Sequence, residues 1–184
     1  MLEEVNRLSA LAESLLTIAR ADAGRVQIHP TEFSPLELAR EAAGLFEVLV
    51  EEKDQHITVA GDEAIRVKAD RVFLRQALVN VIHNAVKFSP AGGLISVEVR
   101  LQSTGGVRLE VADEGPAIAP EHRQKIFDRF YRADESRSRE SGGAGLGLSI
   151  AQWAVRVHGG TIGLATAPGS GCIFQIDLPP VSHA

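Results

Sequence analysis

The sequence predicts an α/β protein of the α+β kind, a two-layer sandwich with helices on one face of a mixed, largely antiparallel sheet. The first observation is that strands occur in neighbouring pairs joined by short turns that contain glycine, which is typical of β-hairpins. The second is that amphipathic helices lie between and before these pairs, so that they can cover one face of the sheet. The predicted pairs are Leu94–Leu101 with Val107–Ala112, and Thr161–Thr166 with Cys172–Leu178.

Length and composition are typical of one globular domain. The chain has 184 residues, of which 45% are apolar and 23% charged, and this excludes a mostly disordered protein. No apolar run approaches the ~18 residues of a membrane span, and the first residues lack a signal-peptide pattern, so we expect a cytoplasmic domain. Cys172 is the single cysteine, which excludes an intrachain disulfide and a thiolate zinc cage. The net charge of −5 provides no basic surface, and we expect no nucleic-acid partner.

Residues 1–22 are predicted to form a helix, because apolar residues recur there at every third or fourth position. These residues are Leu2, Val5, Leu8, Leu11, Leu15 and Ile18. Gly24 fits the position that follows a helix end. A single amphipathic helix needs a packing partner, which is either the rest of this domain or another helix in a bundle or dimer.

The next elements are assigned from caps, periodicity and turn residues. Residues 25–33 are expected to form a linker and a short strand. A second helix begins with Ser34 as N-cap and Pro35 at the first helical position, and it runs to about Lys53. The other expected elements are short strands at His56–Ala60 and Ile65–Lys68 around the turn Gly61-Asp62, a third helix at Ala69–Phe88 and a last helix at Leu146–His158.

The third helix separates apolar and polar residues onto opposite faces. The apolar face is expected to hold Leu74, Ala77, Leu78, Val81, Ile82, Ala85 and Phe88, and the polar face Gln76, Asn80, His83, Asn84 and Lys87. Most such polar faces are simply solvated, but asparagine is a mediocre helix former, and two of them lie in mid-helix here. An asparagine oxygen is a suitable Mg²⁺ ligand, and Lys87 could contact a phosphate as a point charge.

Asp113 follows a strand whose alternate residues point inward. Val107, Leu109 and Val111 share one face, and the period of two places Asp113 on the same face. A buried carboxylate needs a hydrogen-bond partner, which an adenine amino group would supply. The alternative is that Asp113-Glu114-Gly115 is an ordinary turn at the end of a strand.

The connection that follows, residues 113–144, is much longer than the usual ~4–6 residues and predicts a lid. Within it, Pro120–Arg132 is expected to form an amphipathic helical turn that anchors the lid through Ile126, Phe127 and Phe130. The connection ends in clustered glycines, residues 142–147, directly before the last helix. Backbone N–H groups at such a helix start can bind phosphate, although a flexible hinge explains the glycines equally well.

Together these segments resemble the catalytic, ATP-binding part of bacterial sensor histidine kinases of the two-component type, which have the Bergerat ATP-binding fold. The motifs that carry the resemblance are residues 80–88 (the N box), 113–118 (the first glycine box), 126–132 (the F box), 143–148 (the second glycine box) and 169–174 (a further glycine motif). The resemblance covers essentially the whole chain. It implies that residues 1–24 are the C-terminal part of the second helix of a dimerisation hairpin, and that residues 25–184 are the catalytic domain, with a lid at about 114–144.

The resemblance also implies the roles of individual residues. Asn84 would bind Mg²⁺, Asn80 and Lys87 would act near the phosphates, and Asp113 would bind the adenine amino group. The nucleotide-binding residues that it implies are Asn84, Asp113, Gly115, Ala117, Arg132, Gly143, Gly145, Leu146 and Gly147. The implied ligands are ATP and Mg²⁺. The implied partners are the protein's own dimerisation domain, a response regulator and a second copy of the full-length protein. In some members of the family, the full-length protein is anchored in the inner membrane.

Two departures from the family pattern matter. Ala117 stands where the family usually has a glycine; if that position required a positive φ, alanine would cost roughly 1 kcal/mol or more. The acceptor histidine of the family lies on a helix that the chain lacks, so we expect a phosphoryl donor without its acceptor. The alternatives are a nucleotide-binding module without transfer activity, or an ATP hydrolase. The hydrolases carry a glutamate base at the position of Asn80, whose amide cannot accept a proton.

Overall fold

The computed structural model describes residues 26–133, 144–167 and 170–180. The predicted helix at 1–22 and the expected dimerisation segment 1–24 lie outside the described residues, and so does the part of the expected lid from 134 to 143. The division into a segment 1–24 and a domain 25–184 therefore stays a prediction.

The described strands form a five-stranded sheet and a separate two-stranded sheet. The strands are β1 Thr31–Phe33, β2 His56–Gly61, β3 Val67–Ala69, β4 Leu94–Leu101, β5 Val107–Asp113, β6 Thr161–Ala167 and β7 Ser170–Leu178. The larger sheet has the order β2-β4-β5-β7-β6, in which only β2 and β4 run parallel. The prediction of a mixed, largely antiparallel sheet with two hairpins is confirmed. The two short strands around Gly61-Asp62 do not pair with each other, because β3 pairs with β1.

Helices pack on one face of the larger sheet, as predicted. They are α1 Pro35–Gly44, α2 Glu47–Glu52, α3 Arg71–Phe88 and α4 Gly147–Arg156. The covered face of the central strands is fully buried at residues such as Val97, Leu109 and Ile176. The opposite face carries ion pairs, among them Arg100 with Glu110 at 2.7 Å and Arg108 with Asp177. The arrangement is a two-layer sandwich.

The prediction of one continuous helix from Ser34 to Lys53 is wrong. Ser34 caps α1 as expected, with its hydroxyl 3.3 Å from the backbone N of Glu37. The helix ends at Gly44, a residue that costs about 1 kcal/mol in a helix interior. The Phe46 N–H then bonds the carbonyl of Ala43, only three residues back, and the chain turns before α2 begins.

The third predicted helix, α3, ends at Phe88 as expected and begins at Arg71, two residues later than predicted. Asp70 caps it, because its Oδ1 accepts from the backbone N–H groups of Val72 and Phe73. The predicted apolar face is buried except for Phe88, which is 49% exposed. The backbone of Phe88 lies beside Gly115, two residues beyond the end of β5.

The predicted helical turn at Pro120–Arg132 is two short 3₁₀ turns, Pro120–His122 and Lys125–Phe127. Ile126 and Phe127 are buried and anchor this segment, as expected. Phe130 does not belong to that anchor, since it is 61% exposed. Its φ of 63° places it in the left-handed region, which breaks the helical spacing and turns the ring outward. In the part of the chain that the structure describes, no helix combines the length and the apolar character needed to cross a membrane.

Candidate functional site

Asp113 is the last residue of β5 and lies on its inward face, as the period of two predicts. Its side chain belongs to the buried face of the strand, and the residue is only 8% exposed. Its Oδ1 accepts from the backbone N–H of Gly115 at 2.7 Å. Burial raises the pKa of the Asp113 carboxyl, while hydrogen bonds from the backbone N–H groups of Gly115 and Cys172 oppose that rise. The site therefore holds a buried carboxyl group with fixed orientation.

Two glycines allow the backbone to close around Asp113. A Cβ at Gly115 would lie 2.7 Å from the Asp113 Oδ1 and 2.9 Å from the carbonyl oxygen of Phe88. Gly171 has a φ of +68°, and a Cβ there would overlap the carbonyl oxygen of Asp113. Asp113 is thus held between the end of α3 and the start of β7, in a space that no side chain at 115 or 171 could share.

The polar face of α3 is partly buried rather than fully solvated. Asn80, Asn84 and Lys87 are each half-buried, whereas His83 is exposed. The Nδ2 of Asn80 donates to the carbonyl oxygen of Gln76 at 3.0 Å, and a Cβ at Gly147 would lie 3.1 Å from the Asn80 Oδ1. The structure therefore brings Asn80 to the first residue of α4, where backbone N–H groups are available to an anion.

Positive charge collects at the C-terminal end of α3. Burial lowers the pKa of Lys87, and the nearby charges of Arg132 and Lys53 lower it further. Arg132, predicted as a phosphate contact, therefore lies within electrostatic reach of Lys87. The positive charges that disfavour a proton on Lys87 also attract an anion, because both effects follow from the same Coulomb interaction.

The residues directly before α4 contact the F box, residues 126–132. Gly145 has a φ of +71°, and its carbonyl oxygen accepts from the N–H of Phe130 at 2.9 Å. A Cβ at Gly145 would lie 2.8 Å from the carbonyl carbon of Phe130, so that only glycine fits there. Leu146 is buried and packs against Ile150. Gly143, the remaining predicted glycine, lies outside the described residues.

Ala117 is exposed, and it does not lie in the left-handed region. The condition under which alanine would be costly at this position is therefore not met in this conformation. Backbone strain at Ala117 therefore does not support the interpretation of the chain as a binding module without transfer activity.

The contacts define two groups of predicted residues along α3. Asp113 and Gly115 lie at its C-terminal end beside Phe88, and Gly147 lies beside Asn80. Asn80 and Phe88 are eight positions apart, which corresponds to about 12 Å along the helix. Asn84 lies midway between the two groups. Among the described residues, no cluster of three or more His, Cys, Asp or Glu side chains could hold a metal ion by itself.

Two surface hollows lie away from these residues. One of about 280 Å³ lies between the linker at Ile28 and the C-terminal Pro179. The other, of about 510 Å³, lies between Arg123 and the α4–β6 region. Neither is lined by the predicted site residues. The candidate site is therefore defined by its contacts, Gly147 with Asn80 and Gly115 with Asp113.

Lys53 and Gln55 hold the C-terminal end of α3 and were not predicted. The Lys53 ammonium donates to the carbonyl oxygen of Val86 at 2.8 Å, and the Gln55 amide donates to that of Ser89 at 2.9 Å. A cation at the C-terminal end of a helix is favourable. No periodicity or motif marks either residue, because they follow α2 in a short connection and reach α3 only through the tertiary fold.

Comparisons with known proteins show what the chain is similar to. The model of the histidine kinase-, DNA gyrase B- and HSP90-like ATPases matches residues 69–182. The sensor-like histidine kinase SenX3 of Mycobacterium tuberculosis is 33% identical over 184 residues, which is 100% of this chain and 45% of that protein. The sensor histidine kinase CusS of Escherichia coli strain K12 is 37% identical over 182 residues, which is 97% of this chain and 36% of that protein. The chain thus spans less than half the length of these relatives.

Solved structures of histidine kinases have the same fold. Full-length ShkA in complex with AMPPNP matches with a TM-score of 0.85 and 32% identity, over 96% of this chain and 36% of that one. Histidine kinase ThkA in complex with the response regulator protein TrrA matches with a TM-score of 0.78 and 30% identity, over 96% of this chain and 49% of that one.

Proposed function

The chain belongs to the histidine kinase-, DNA gyrase B- and HSP90-like ATPase family, and from this premise we propose that it binds Mg-ATP and donates the γ-phosphoryl group to a histidine of a dimerisation domain. That group would then pass to an aspartate of a response regulator. The chain resembles sensor histidine kinases over its whole length. The observation that carries the proposal is the buried Asp113 carboxyl at the C-terminal end of α3, with the cation Lys87 at that same end and the start of α4 further along the helix, beside Asn80.

The adenine end of the site comprises Asp113, Gly115, Gly171 and Cys172. An ionised carboxylate has about four acceptor positions. The backbone N–H groups of Gly115 and Cys172 bond it from within the protein, which leaves acceptor capacity for a ligand. An adenine amino group would donate to it and offset part of the cost of burying the carboxylate. A guanine ring carries an acceptor at the equivalent position and would be rejected.

The phosphate end comprises Asn80, Gly145 and Gly147, and the long side chains of Lys87 and Arg132 would reach toward it from the C-terminal end of α3. The start of α4 would donate backbone N–H groups to phosphate oxygens, and Lys87 and Arg132 would neutralise their charge. Mg²⁺ would take Asn84 as a single protein ligand and complete its shell with phosphate and water oxygens, as is common for this ion. The ~12 Å of α3 between Asn80 and Phe88 leaves room for an extended nucleotide.

The proposed transfer depends on positioning and charge neutralisation, which dominate phosphoryl transfer generally. The acceptor histidine would come from a dimerisation domain outside the described residues. The amide of Asn80 cannot act as a general base for water, so we expect little hydrolysis by the chain itself. We also propose that the full-length protein works as a homodimer with its own response regulator, and that it is anchored in a membrane.

Calorimetric titration of the 184-residue chain with a nonhydrolysable ATP analogue and Mg²⁺ tests the binding step. Asp113→Asn should weaken binding by roughly 10–100-fold, because a bond to a charged acceptor contributes about 1.5–3 kcal/mol. Asp54→Asn is the matched control: Asp54 is exposed with a φ of 53°, which asparagine tolerates. No binding by the unaltered chain would refute the proposal.

Mixing the chain and Mg-ATP with a separately produced dimerisation hairpin tests the transfer step. Acid-labile phosphohistidine on the hairpin is the expected product. Nucleotide binding without any phosphohistidine would favour a binding module. Phosphate release at ordinary enzyme rates without the hairpin would favour a hydrolase.

A further inference from the structure

A hydrogen bond between His122 and Tyr131 lies beside the phosphate end and has no role in the proposal so far. The Nδ1 of His122 and the hydroxyl of Tyr131 are 2.6 Å apart, and the two ring centroids are 6.0 Å apart. Both residues are half-buried. His122 ends the first 3₁₀ turn, and Tyr131 directly precedes Arg132 in the chain.

The backbone at Tyr131 is held from the opposite side as well. Phe130, in the left-handed region, donates its N–H to the carbonyl oxygen of Gly145, and the Tyr131 N–H bonds the carbonyl of Asp128 at 3.3 Å. A Cβ at Gly145 would lie 2.9 Å from the Tyr131 carbonyl oxygen. Residues 130 and 131 are therefore held between the first 3₁₀ turn and the residues that start α4.

Arg132 is the charged residue next to this held backbone. It follows Tyr131 immediately, and its charge lies close enough to Lys87 to act on that side chain. We propose that His122 and Tyr131 are positioning residues, whose hydrogen bond holds Arg132 beside Lys87 so that both cations can bind the phosphates of one nucleotide. This inference rests on the proposed binding of Mg-ATP.

The effect of the Tyr131 hydroxyl can be separated from the effect of its aromatic ring. Tyr131→Phe keeps the aromatic packing and removes only the hydrogen bond, and His122→Ala removes it from the other side. His122→Asn keeps a polar atom near the place of Nδ1 and should restore much of the binding. Loss of the hydrogen bond between His122 and Tyr131 is expected to weaken binding of an ATP analogue about fivefold.

The experiment compares two ligands by calorimetry on the 184-residue chain: a nonhydrolysable ATP analogue with Mg²⁺, and adenosine. Tyr131→Phe and His122→Ala should each weaken binding of the analogue about fivefold and leave adenosine binding unchanged. In an Arg132→Gln background, Tyr131→Phe should have no further effect, because the residue that it positions is gone. His56→Ala, at an exposed histidine of β2, is the matched control.

Each other outcome overturns the inference. Binding of the analogue that is unchanged in Tyr131→Phe and His122→Ala would show that the hydrogen bond positions nothing. An equal loss for the analogue and adenosine would show general damage to the site, and an effect that persists in the Arg132→Gln background would exclude action through Arg132. If the unaltered chain bound no ATP analogue, the proposed function would fail first, and the two failures are thereby distinguished.

Discussion

The adenine end and the phosphate end of the site are built in different ways. Asp113 sits on a hydrogen-bonded strand inside the sheet, and the glycines around it leave no room for a side chain. The phosphate end instead brings together one face of α3, the start of α4 and a joint between Phe130 and Gly145. We infer that recognition of the base in the proposed site depends on the sheet together with the end of α3. Phosphate binding depends on how separate segments meet.

The largest expected effect comes from crowding the adenine end. Gly171→Ala should lower the free energy of unfolding by about 2–5 kcal/mol, because a left-handed alanine costs roughly 1–2 kcal/mol and overpacking adds about 1–3 kcal/mol. Urea unfolding measures this loss. The φ of Gly92 is +74° with open space around it, and Gly163 has open space without a positive φ. Gly92→Ala should therefore lose about 1 kcal/mol and Gly163→Ala almost nothing. A loss at Gly171 no larger than that at Gly92 would contradict the close packing there.

Asp113→Asn should separate binding from stability. The pKa of Asp113 is raised in the folded state, so the ionised carboxyl lowers the stability of the unaltered protein as pH rises above the unfolded pKa of about 3.9. Asparagine lacks this penalty. The free energy of unfolding of the variant, relative to the unaltered protein, should therefore increase between pH 4 and pH 7, while ATP binding is weakened. Denaturant unfolding at both pH values is the measurement, and a difference that does not depend on pH would contradict the expected titration.

Gly145→Ala should damage the phosphate end and spare the adenine end. Alanine there would be strained at a φ of +71° and crowded by the backbone of Phe130. We expect the affinity for an ATP analogue to fall about tenfold, in line with a cost of roughly 1–2 kcal/mol. Adenosine should bind as it does to the unaltered chain. Equal losses for both ligands would mean that the two ends are not independent.

The smallest effect is expected from Asp70→Ala, in the helix that both ends share. Burial alone would raise the pKa of Asp70, but backbone hydrogen bonds from His29, Phe73 and Val72 lower it overall. Loss of this N-cap should cost about 1 kcal/mol of unfolding free energy at pH 7. Because the folded pKa is lowered, that contribution is present above the unfolded pKa and disappears as pH falls through the folded pKa. Thermal unfolding at pH 7 and at low pH measures it, and the ratio of ATP to adenosine affinity should not change.

Local patterns predicted a large part of the fold and placed part of the site. The period of two in β5 placed Asp113 on the buried face, and the caps of α1 and the end of α3 follow from single residues. The glycines before α4 predicted a special backbone, and Gly145 has one. The roles of these residues in binding stay predictions. Phe88 and Phe130 were placed wrongly, since spacing along a helix does not show where the sheet ends or where the chain reverses.

The amino-acid sequence by itself determined most of the segments that become strands and helices and most of the residues that point inward, because these properties depend on neighbours a few positions apart. Only the tertiary structure decided which elements meet: β2 beside β4 in parallel, β1 with β3, Gly147 against Asn80, and Lys53 at the end of α3. Such contacts join residues far apart in the chain. Their formation depends on the packing of the whole core, and no local pattern contains that information.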